Sequence, residues 1–504
     1  MTWAELHGAL RERGQIRAGG APRVNAASRE VHGVAYDSRR VSPGSVFVAL
    51  KGQHVDGAAF AREALARGAA AIVSEAPAPP GAEVPWTVVH DSRLALAILA
   101  VTFYRHPSAE LKVIGITGTN GKTTTAYLVA SIFDAAGVRC GLLGTVGYRV
   151  GDEVREATRT TPEAPDLQCL LRDMVDRGCG ACAMEVSSHA LSLRRADGIV
   201  FAAGVFTNLT RDHLDFHDDM EAYFQAKRRL FEILPGDSPS LINLDDPRGA
   251  SLCELAARPV TYAISRPADI MPGPLSISLG GLSFDVRTRR GSLRVRSSLV
   301  GRPNVYNILA AVATAVALDV PFEVIENGIA ALEGVPGRFQ LASGGTDDVT
   351  VVVDYAHTDD ALRNLLETAR PLTRGRVITV FGCGGDRDRT KRPLMGVVAG
   401  RLSDVLLITS DNPRHEDPRR IIEEIRLGIT PDTRRDSEQQ ILTYVDRRDA
   451  ILKAVELARA GDLVLIAGKG HEKYQAIGTS VLPFDDVAVA REALSRRRSN
   501  SGVV

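Results

Sequence analysis

The sequence lacks an excess of charge of either sign, because lysine plus arginine and aspartate plus glutamate both number 61. That balance gives no support to nucleic acid or an anionic membrane as the main partner, so an anionic ligand must be met by local charges.

Long hydrophobic runs are also missing. The runs at 94–101 and 308–318 are too short to cross a bilayer, and the first residues have no apolar core typical of a signal peptide. We therefore expect a cytoplasmic protein without a membrane span.

Cysteine is scarce, with six residues scattered over the chain, which excludes a disulfide framework and fits a reducing compartment. Cys179 and Cys182 do form a CxxC pair. One pair leaves a tetrahedral zinc site two ligands short, so buried small side chains are the favoured interpretation and a metal or redox role is the alternative.

The composition that remains is typical of a soluble globular protein, with 44% hydrophobic and 24% charged residues, 46 glycines and 25 prolines. A chain of 504 residues is too long for one hydrophobic core, and typical domain sizes suggest about three domains. Changes of pattern predict domains at 1–107, 108–338 and 339–504. The arginine-rich residues 496–500 are interpreted as a solvated tail.

Compact β-branched runs alternate with helical patterns in the second and third segments, which predicts an α/β fold with two parallel sheets. Predicted strands of the second segment are 113–117, 181–186, 202–207 and 241–244. Those of the third are 350–353, 377–381, 405–409 and 463–467. Helices are predicted at 123–136 and 449–460. We expect the third segment to be doubly wound and Rossmann-like, with ligands outside the carboxyl ends of its strands.

A glycine-containing loop joins the first of these strands to the first helix. Its residues are Gly118, Thr119, Asn120, Gly121, Lys122, Thr123 and Thr124. Backbone amides turned inward and a helix N-terminus favour phosphate, Lys122 adds a point charge, and the Thr123 hydroxyl suits Mg2+. The pattern departs from a strict Walker motif, which has glycine where Ile116 stands. We interpret the loop as a nucleoside triphosphate site; the alternative is a plain glycine-rich turn.

The motif GTNGKTT after a strand resembles the ATP loop of the Mur ligase family, which includes the folylpolyglutamate synthases. The resemblance continues through the whole chain. It implies a three-domain architecture, with a central P-loop ATPase-like sheet and a C-terminal Rossmann-like sheet. It also implies an ATP-dependent amide ligase that activates a carboxylate as an acyl phosphate.

In the middle segment the resemblance indicates a magnesium site, with two ions expected. A carboxylate at the end of a strand, such as Glu185, is suited to Mg2+ on chemical grounds alone. Chemistry would favour Asp212 or Asp215 as a further ligand, since hard cations prefer oxygen, but the resemblance favours His213. It also implies that Lys227 is carbamylated and, as an anion, holds the second ion. A lone helical lysine is otherwise a solvated charge.

The resemblance places a UDP-linked muramoyl dipeptide across the first two segments. The implied contacts are Ser38, Gln53, His54, Val55, Thr160, Thr161, Ser187 and Arg195. Turn chemistry explains the first-segment loops equally well without a ligand. Arg159 and Leu193 depart from some relatives, which have Asn and a polar amide there.

Polar residues follow each strand of the third segment, and parallel strands bring such loops to one edge of a sheet. The sequence Asp411-Asn412-Pro413-Arg414 resembles the family's motif for meso-diaminopimelate. Its distal carboxylate suits Arg414 and Arg387, while Asp411 and Glu472 suit ammonium groups. Gly468 is a further implied contact. Nucleotide contacts implied near the hinge are Asn304, Arg338 and Asp354, although an asparagine also caps helices.

The expected function is therefore ligation of meso-diaminopimelate to a UDP-N-acetylmuramoyl dipeptide in peptidoglycan synthesis, by a monomer that binds no nucleic acid. A lysine-adding Mur ligase or a folylpolyglutamate synthase-like ligase is the nearest alternative. A switch or motor P-loop NTPase is the alternative from another class.

Overall fold

The computed structural model describes residues 1–17, 28–52, 55–80, 82 and 84–501. The first part of the chain forms a four-stranded parallel sheet in the order β1-β2-β3-β4. Its strands are β1 Gly33–Ala35, β2 Ser45–Ala49, β3 Ala71–Ser74 and β4 Trp86–Val88. Its helices are α1 Trp3–Glu12, α2 Ala61–Ala66 and α3 Ser92–Phe103. The run at 94–101 thus belongs to α3, whose apolar side packs on this sheet.

The central sheet has eight strands in the order β12-β11-β10-β5-β9-β6-β7-β8. Its strands are β5 Lys112–Thr117, β6 Cys140–Leu143, β7 Tyr148–Val150, β8 Glu153–Arg155, β9 Ala181–Glu185, β10 Phe201–Phe206, β11 Ser240–Asn243 and β12 Pro259–Tyr262. Strand β5 lies between β9 and β10 and is parallel to both, while β7 and β8 add an antiparallel edge. The central sheet is therefore largely parallel, as predicted.

Seven helices accompany the central sheet and cover its faces. They are α4 Lys122–Ala135, α5 Ala164–Asp176, α6 Ser188–Ser192, α7 Met220–Glu232, α8 Gly249–Leu255, α9 Arg302–Ala317 and α10 Phe322–Ala331. Helices α4 and α9 are buried along most of their length and form one core with the sheet.

A small antiparallel sheet, which the sequence patterns had not predicted, follows the central one. Its strands are β13 Met271–Pro272, β14 Ser276–Ser278, β15 Gly281–Thr288 and β16 Gly291–Ser297. Leu282, Phe284 and Val286 of β15 are buried against α10 and its neighbours, whereas the residues between them are exposed.

The third sheet has six strands in the order β17-β18-β22-β19-β20-β21, of which only the short edge strand β17 is antiparallel to its neighbour. Its strands are β17 Gln340–Leu341, β18 Thr350–Asp354, β19 Val377–Phe381, β20 Val405–Thr409, β21 Gln440–Tyr444 and β22 Leu463–Ala467. Its helices are α11 Asp359–Ala369, α12 Lys391–Leu402, α13 Pro418–Arg426, α14 Arg447–Leu457 and α15 Asp486–Ser501. A hairpin of β23 Tyr474–Ile477 and β24 Ser480–Pro483 precedes α15.

The predicted α/β class and the predicted strands are confirmed, with ends shifted by a few residues. The last arginines do not form a free tail, because α15 continues to Ser501, although Arg496 and Arg498 are exposed as predicted. Arg497 pairs with Asp348 and Arg498 with Asp347, so the helix end is tied to the loop before β18. Within the described residues, no helix has the length and apolar character needed to cross a membrane.

Candidate active site

The phosphate loop lies between β5 and α4 in the middle of the central sheet. Gly118 and Gly121 have φ angles of 146° and 86°, a region that favours glycine. A Cβ at Gly118 would lie 1.9 Å from Thr207 Oγ1, and one at Gly121 would lie 2.3 Å from Asn307 Oδ1. Both glycines are therefore required by backbone conformation and by close packing.

The segment after β10 holds this loop in place. Asn208 accepts from the Thr119 amide through its carbonyl and from the Asn120 amide through Oδ1, at 2.8 and 2.9 Å. Thr119 Oγ1 donates to the Thr210 carbonyl at 3.1 Å and lies 3.2 Å from the Tyr223 hydroxyl. The loop is thus fixed by side chains far away in sequence, which the local motif did not reveal.

Two lysines meet on one carbonyl of the loop. Lys122 Nζ donates to Gly118 O at 3.0 Å, and Lys227 Nζ donates to the same oxygen at 2.7 Å. Lys227 is 2% exposed, and its ammonium lies 4.2 Å from the centre of the Tyr223 ring. Burial, followed by the charge of Lys122, holds the pKa of Lys227 well below its usual value. Burial likewise lowers the pKa of Lys122.

Glu185 ends β9 beside this lysine pair and is 1% exposed. Its Oε1 accepts from the Thr145 amide at 2.8 Å, and its Oε2 accepts from the Thr145 hydroxyl at 3.2 Å. Its charge acts on Lys122 and opposes the fall in that lysine's pKa. The carboxylate therefore faces the phosphate loop, as expected for the end of the neighbouring strand.

His213 lies in a group of aromatic rings near the lysines. Its ring centroid is 4.8 Å from that of His189 and 6.1 Å from that of Tyr223, and its Nε2 is 3.5 Å from Asp212 Oδ2. Burial lowers the pKa of His213 to about 4, so the imidazole is neutral at neutral pH. Its φ of 54° is rare for a non-glycine residue, a strain typical of functional positions.

The described ranges contain no group of three or more His, Cys, Asp and Glu side chains arranged to hold a metal. Burial raises the pKa of the Cys182 thiol well above its usual value. Cys179 and Cys182 are buried, in agreement with the favoured interpretation.

Four residues predicted for the muramoyl ligand lie together next to Glu185. Thr161 Oγ1 donates to the Glu185 carbonyl at 2.9 Å and accepts from the Ser187 amide at 3.1 Å. Arg195 donates to the Thr161 carbonyl at 3.2 Å and pairs with Glu163 at 2.8 Å. The fourth residue, Thr160, lies with its hydroxyl 3.1 Å from that of Thr145. Arg195 Nε is buried and has no partner within the described part of the chain.

Of the predicted first-segment residues, the structure describes Ser38 and Val55. Ser38 is 6% exposed, and its hydroxyl donates to Glu63 Oε2 at 2.7 Å. Val55 is 55% exposed. Gln53 and His54 lie outside the described residues, so their predicted contacts stay predictions.

The predicted hinge residues connect the second and third sheets. Arg338 donates to the Thr123 hydroxyl at 3.0 Å, and its guanidinium lies 4.6 Å from the centre of the Tyr355 ring. Both Asp354 oxygens accept backbone amides, those of Phe339 and Ala356, at 2.7 and 2.8 Å. Asp354 therefore shapes the hinge backbone beside the phosphate loop.

Asn304 is buried at the start of α9 and donates to the Val300 carbonyl at 2.8 Å. Its Oδ1 accepts from Asn307 Nδ2 at 2.9 Å, and Asn307 in turn packs against Gly121. Asn304 thus reaches the phosphate loop through Asn307 in this structure.

Loops from three strands of the third sheet converge on Tyr474 of β23. Burial raises the pKa of Tyr474, Glu472 and Asp411 add to the rise, and Arg414 and Arg387 oppose it. A Cβ at Gly384 would lie 3.0 Å from Arg414 Nη1 and 3.9 Å from Arg387 Cγ. The loop of Asp411 reaches Glu472 through Asn412, so the four predicted charged residues lie in loops that contact each other. Arg414, with a φ of 50°, donates to the Gly385 carbonyl at 2.7 Å, which joins the loop after β19 to that after β20.

Asp411 and Gly468 lie in close contact, because a Cβ at Gly468 would be 2.6 Å from Asp411 Oδ2. Asn412 Nδ2 donates to Glu472 Oε2 at 2.8 Å. Pro413 is buried, and a Cβ at Gly385 would lie 1.9 Å from its carbonyl oxygen. The loops after β19, β20 and β22 are therefore packed closely against each other.

Three buried cations that support these loops were not predicted from the sequence: Lys469, Arg392 and Arg447. Arg447 makes two hydrogen bonds to the Asp486 carboxylate, at 2.8 and 2.7 Å. It also donates to the carbonyls of Ser410 and Ala467, which lie where the loops after β20 and β22 begin. Their burial depends on contacts across the sheet, for which the sequence offers no local signal.

Family models match three successive parts of the chain. They are "Mur ligase family, catalytic domain" at 30–104, "Mur ligase middle domain" at 116–315 and "Mur ligase, glutamate ligase domain" at 337–470.

Full-length relatives agree with these matches. A UDP-N-acetylmuramoyl-L-alanyl-D-glutamate--2,6-diaminopimelate ligase from Solibacter usitatus (strain Ellin6076) is 49% identical over 472 residues, covering 93% of this chain and 94% of that protein. One of the same name from Geobacter metallireducens is 47% identical over 488 residues, covering 93% and 95%. A solved structure of a ligase of that name has a TM-score of 0.68 at 35% identity and covers 94% of this chain and 97% of its own.

The phosphate loop, the loops of the third sheet and these likenesses define an ATP-dependent ligase that forms amide bonds. The chain belongs to the Mur ligase family.

Proposed function

We propose that this ligase joins meso-2,6-diaminopimelate to the D-glutamate γ-carboxylate of UDP-N-acetylmuramoyl-L-alanyl-D-glutamate, in peptidoglycan synthesis. The observation that carries the proposal is that the loops bearing Arg387, Asp411, Arg414 and Glu472 pack against one another. Two guanidinium groups and two carboxylates complement an amino acid with two carboxylates and two ammonium groups. The names of the relatives support the same substrates.

The nucleotide site that we assign is the loop from Gly118 to Thr124 with Arg338, backed by Asn304 and Asp354. Attack of the acceptor carboxylate on the γ-phosphate of ATP gives an acyl phosphate and ADP. Lys122 lies over the loop at the helix N-terminus, where it neutralises charge on the transferring phosphoryl group. The free amine of diaminopimelate then attacks the acyl carbon, and phosphate leaves through a tetrahedral intermediate.

The residues around the loop fit magnesium and a lysine carbamate. Lys227 is buried without a carboxylate partner among the described residues, and its lowered pKa favours the neutral amine that reacts with CO2. As a carbamate it adds oxygen ligands near Glu185, the Thr123 hydroxyl and His213, which we assign to two Mg2+ ions. When bound, these ions supply charge neutralisation for phosphoryl transfer.

For the acceptor we assign Thr160, Thr161, Ser187 and Arg195, which lie beside Glu185. Arg195 has an unpartnered Nε in the described structure, and only one carboxylate, Glu163, pairs with its guanidinium there. A second carboxylate from the acceptor suits that guanidinium. Ser38, Gln53, His54 and Val55 are assigned to the uridine diphosphate end.

We further propose the domain division 1–107, 108–338 and 339–504, in which the first domain holds the nucleotide-sugar, the second ATP and the third the amino acid. The enzyme acts as a cytoplasmic monomer on small molecules. The placement of loops at the carboxyl ends of the strands supports the assignment of ATP to the second domain and of the amino acid to the third.

Coupled phosphate release tests the class of reaction. We expect ATP hydrolysis only when both UDP-N-acetylmuramoyl-L-alanyl-D-glutamate and diaminopimelate are present, because the acyl phosphate forms on one and is consumed by the other. Hydrolysis that proceeds equally without either substrate would favour a switch or motor NTPase. Activity with a folate acceptor in place of the UDP-dipeptide would favour a folylpolyglutamate synthase-like ligase.

A further inference from the structure

Lys469 is a fully buried lysine in the loop after β22, between Gly468 and Gly470. Its Nζ donates to Asn412 Oδ1 at 3.0 Å and to Glu472 Oε2 at 3.1 Å, and it lies 5.4 Å from the centre of the Tyr474 ring. A buried ammonium is costly unless it is paired and hydrogen-bonded. These contacts therefore tie the charge of Lys469 to the amino-acid site.

The three side chains form a closed triangle of hydrogen bonds. Asn412 Oδ1 accepts from Lys469 and from the Ala476 amide, which turns its Nδ2 towards Glu472 Oε2 at 2.8 Å. Both bonds to Glu472 fall on Oε2. Within the described part of the chain no hydrogen bond falls on Oε1. That oxygen is therefore held in position and has no protein donor there.

The charge of Lys469 also changes the net charge of the amino-acid site. Glu472 and Asp411 contribute two negative charges, Arg387 and Arg414 two positive charges, and Lys469 offsets Glu472. Diaminopimelate carries two carboxylates and two ammonium groups and is neutral overall. Lysine lacks one carboxylate and carries a net positive charge, so a further buried cation acts against it.

We propose that Lys469 is a positioning and specificity-determining residue. It holds Glu472 and Asn412 in place, and its positive charge weakens the binding of diamino acids that carry a net positive charge. The inference rests on the proposed function, because it takes diaminopimelate as the amino acid. It adds a residue that does not itself have to contact the substrate.

The test compares Lys469→Met with Lys473→Met in the full-length enzyme. Lys473 lies in the same loop, but it is 61% exposed and pairs with Asp485 on the surface. The measured quantities are the KM for diaminopimelate, the inhibition constant of L-lysine against it, and the KM for ATP. We expect Lys469→Met to lower the ratio of the lysine inhibition constant to the diaminopimelate KM about tenfold, because a buried charge has been removed. Lys473→Met leaves the ratio unchanged.

Glu472→Gln provides an independent arm that removes the opposite charge. This variant is expected to raise the same ratio, and the double variant Lys469→Met/Glu472→Gln is expected to return it towards the wild-type value. An equal loss for both amino acids, or a ratio within twofold of wild type in both single variants, would overturn the role of Lys469. Wild-type turnover of diaminopimelate tests the proposed function separately, since it does not depend on this ratio.

Discussion

Arg414 shows how single residues define the candidate amino-acid site. Its backbone is held at a φ of 50° by hydrogen bonds to Ala476 and Gly478, and its guanidinium reaches the Gly385 carbonyl. A left-handed conformation at a non-glycine residue costs about 1–3 kcal/mol, which the surrounding contacts must offset. Backbone strain of this kind is typical of residues that bind ligands, as we propose for Arg414.

Replacing Arg414 with alanine is expected to weaken the use of diaminopimelate. Loss of a charge-assisted partner for a carboxylate costs about 2–3 kcal/mol, or roughly 30- to 150-fold in kcat/KM. Steady-state kinetics with varied diaminopimelate measure the effect. Arg419→Ala, an exposed arginine at the start of α13, is the matched control. Unchanged kinetics in Arg414→Ala would remove this loop from the account of specificity.

The carbamate predicted on Lys227 is testable by carbon NMR. In 13C-bicarbonate we expect a protein-bound carbamate signal from the wild type that is absent from Lys227→Met, because the lowered pKa favours the reactive amine. We also expect Lys227→Met to lose activity by about 100-fold or more, because a proposed metal ligand is removed and even the outer partners of metal ligands are worth about 10- to 100-fold. The control, Arg228→Met, changes a surface residue of the same helix. A spectrum without a carbamate signal in the active wild-type enzyme would contradict the modification.

Residue roles were predictable where the chemistry is local in sequence. The phosphate loop is one strand, one turn and one helix, so its motif indicated both structure and ligand. Lys469 stands in a loop that the sequence also marked as polar, but nothing local distinguishes it from the exposed Lys473. Burial of a charge depends on partners from other strands, and therefore only the structure reveals it.

At the scale of elements, Arg392 of α12 joins two loops of the third sheet. It is fully buried, pairs with Glu416 at 2.8 Å and Glu424 at 2.7 Å, and donates to the Gly384 carbonyl at 3.2 Å. Glu416 also accepts from the Asp386 amide at 2.6 Å. The network thus holds the loops that carry Arg387 and Arg414.

This network predicts a stability contribution that depends on pH. Hydrogen bonding with Arg392 lowers the pKa of Glu416 from 4.5 to about 2 in the folded state. A depressed carboxyl pKa stabilises the fold above pH 4.5, and this stabilisation is lost as the pH falls through 2. We expect Glu416→Gln to lower the free energy of unfolding by about 2 kcal/mol at pH 7 and by less at pH 3. Urea unfolding measures both, and an equal difference at the two pH values would contradict the assignment.

Elements were predictable when their pattern was simple. Apolar β-branched runs in the central and third sheets are buried on both faces, and they were assigned correctly from sequence. The small sheet of β13–β16 alternates buried and exposed residues, and the arginines and serines on its open face obscured it. The end of α15 was missed because its arginines pair with Asp347 and Asp348, which are distant in sequence.

At the scale of the whole molecule, the third sheet is docked on the phosphate loop. Asp360 at the start of α11 accepts from Asn120 Nδ2 at 2.9 Å, and Arg338 reaches Thr123 at 3.0 Å. Arg211 lies 3.5 Å from Asp388. These contacts place the loops of the third sheet opposite the nucleotide site, a relation that sequence could give only through the family resemblance.

Asp360→Ala is expected to weaken this docking and to lower kcat/KM for ATP about fivefold, because one hydrogen bond to a charged group contributes about 1 kcal/mol or more. The neighbouring Asp359→Ala is the control, since Asp359 makes no side-chain hydrogen bond within the described residues and lies on the same turn. Equal effects of the two substitutions would show that helix α11, and not its bond to Asn120, is responsible.

The central claim is that the enzyme adds diaminopimelate to the UDP-muramoyl dipeptide, and the mass of the product tests it most directly. The purified protein is incubated with ATP, Mg2+, UDP-N-acetylmuramoyl-L-alanyl-D-glutamate and equal amounts of meso-diaminopimelate and L-lysine. We expect a product whose mass corresponds to amide-linked diaminopimelate, formed together with ADP and phosphate. A product that contains lysine instead, or ADP formed without any ligated product, would contradict it.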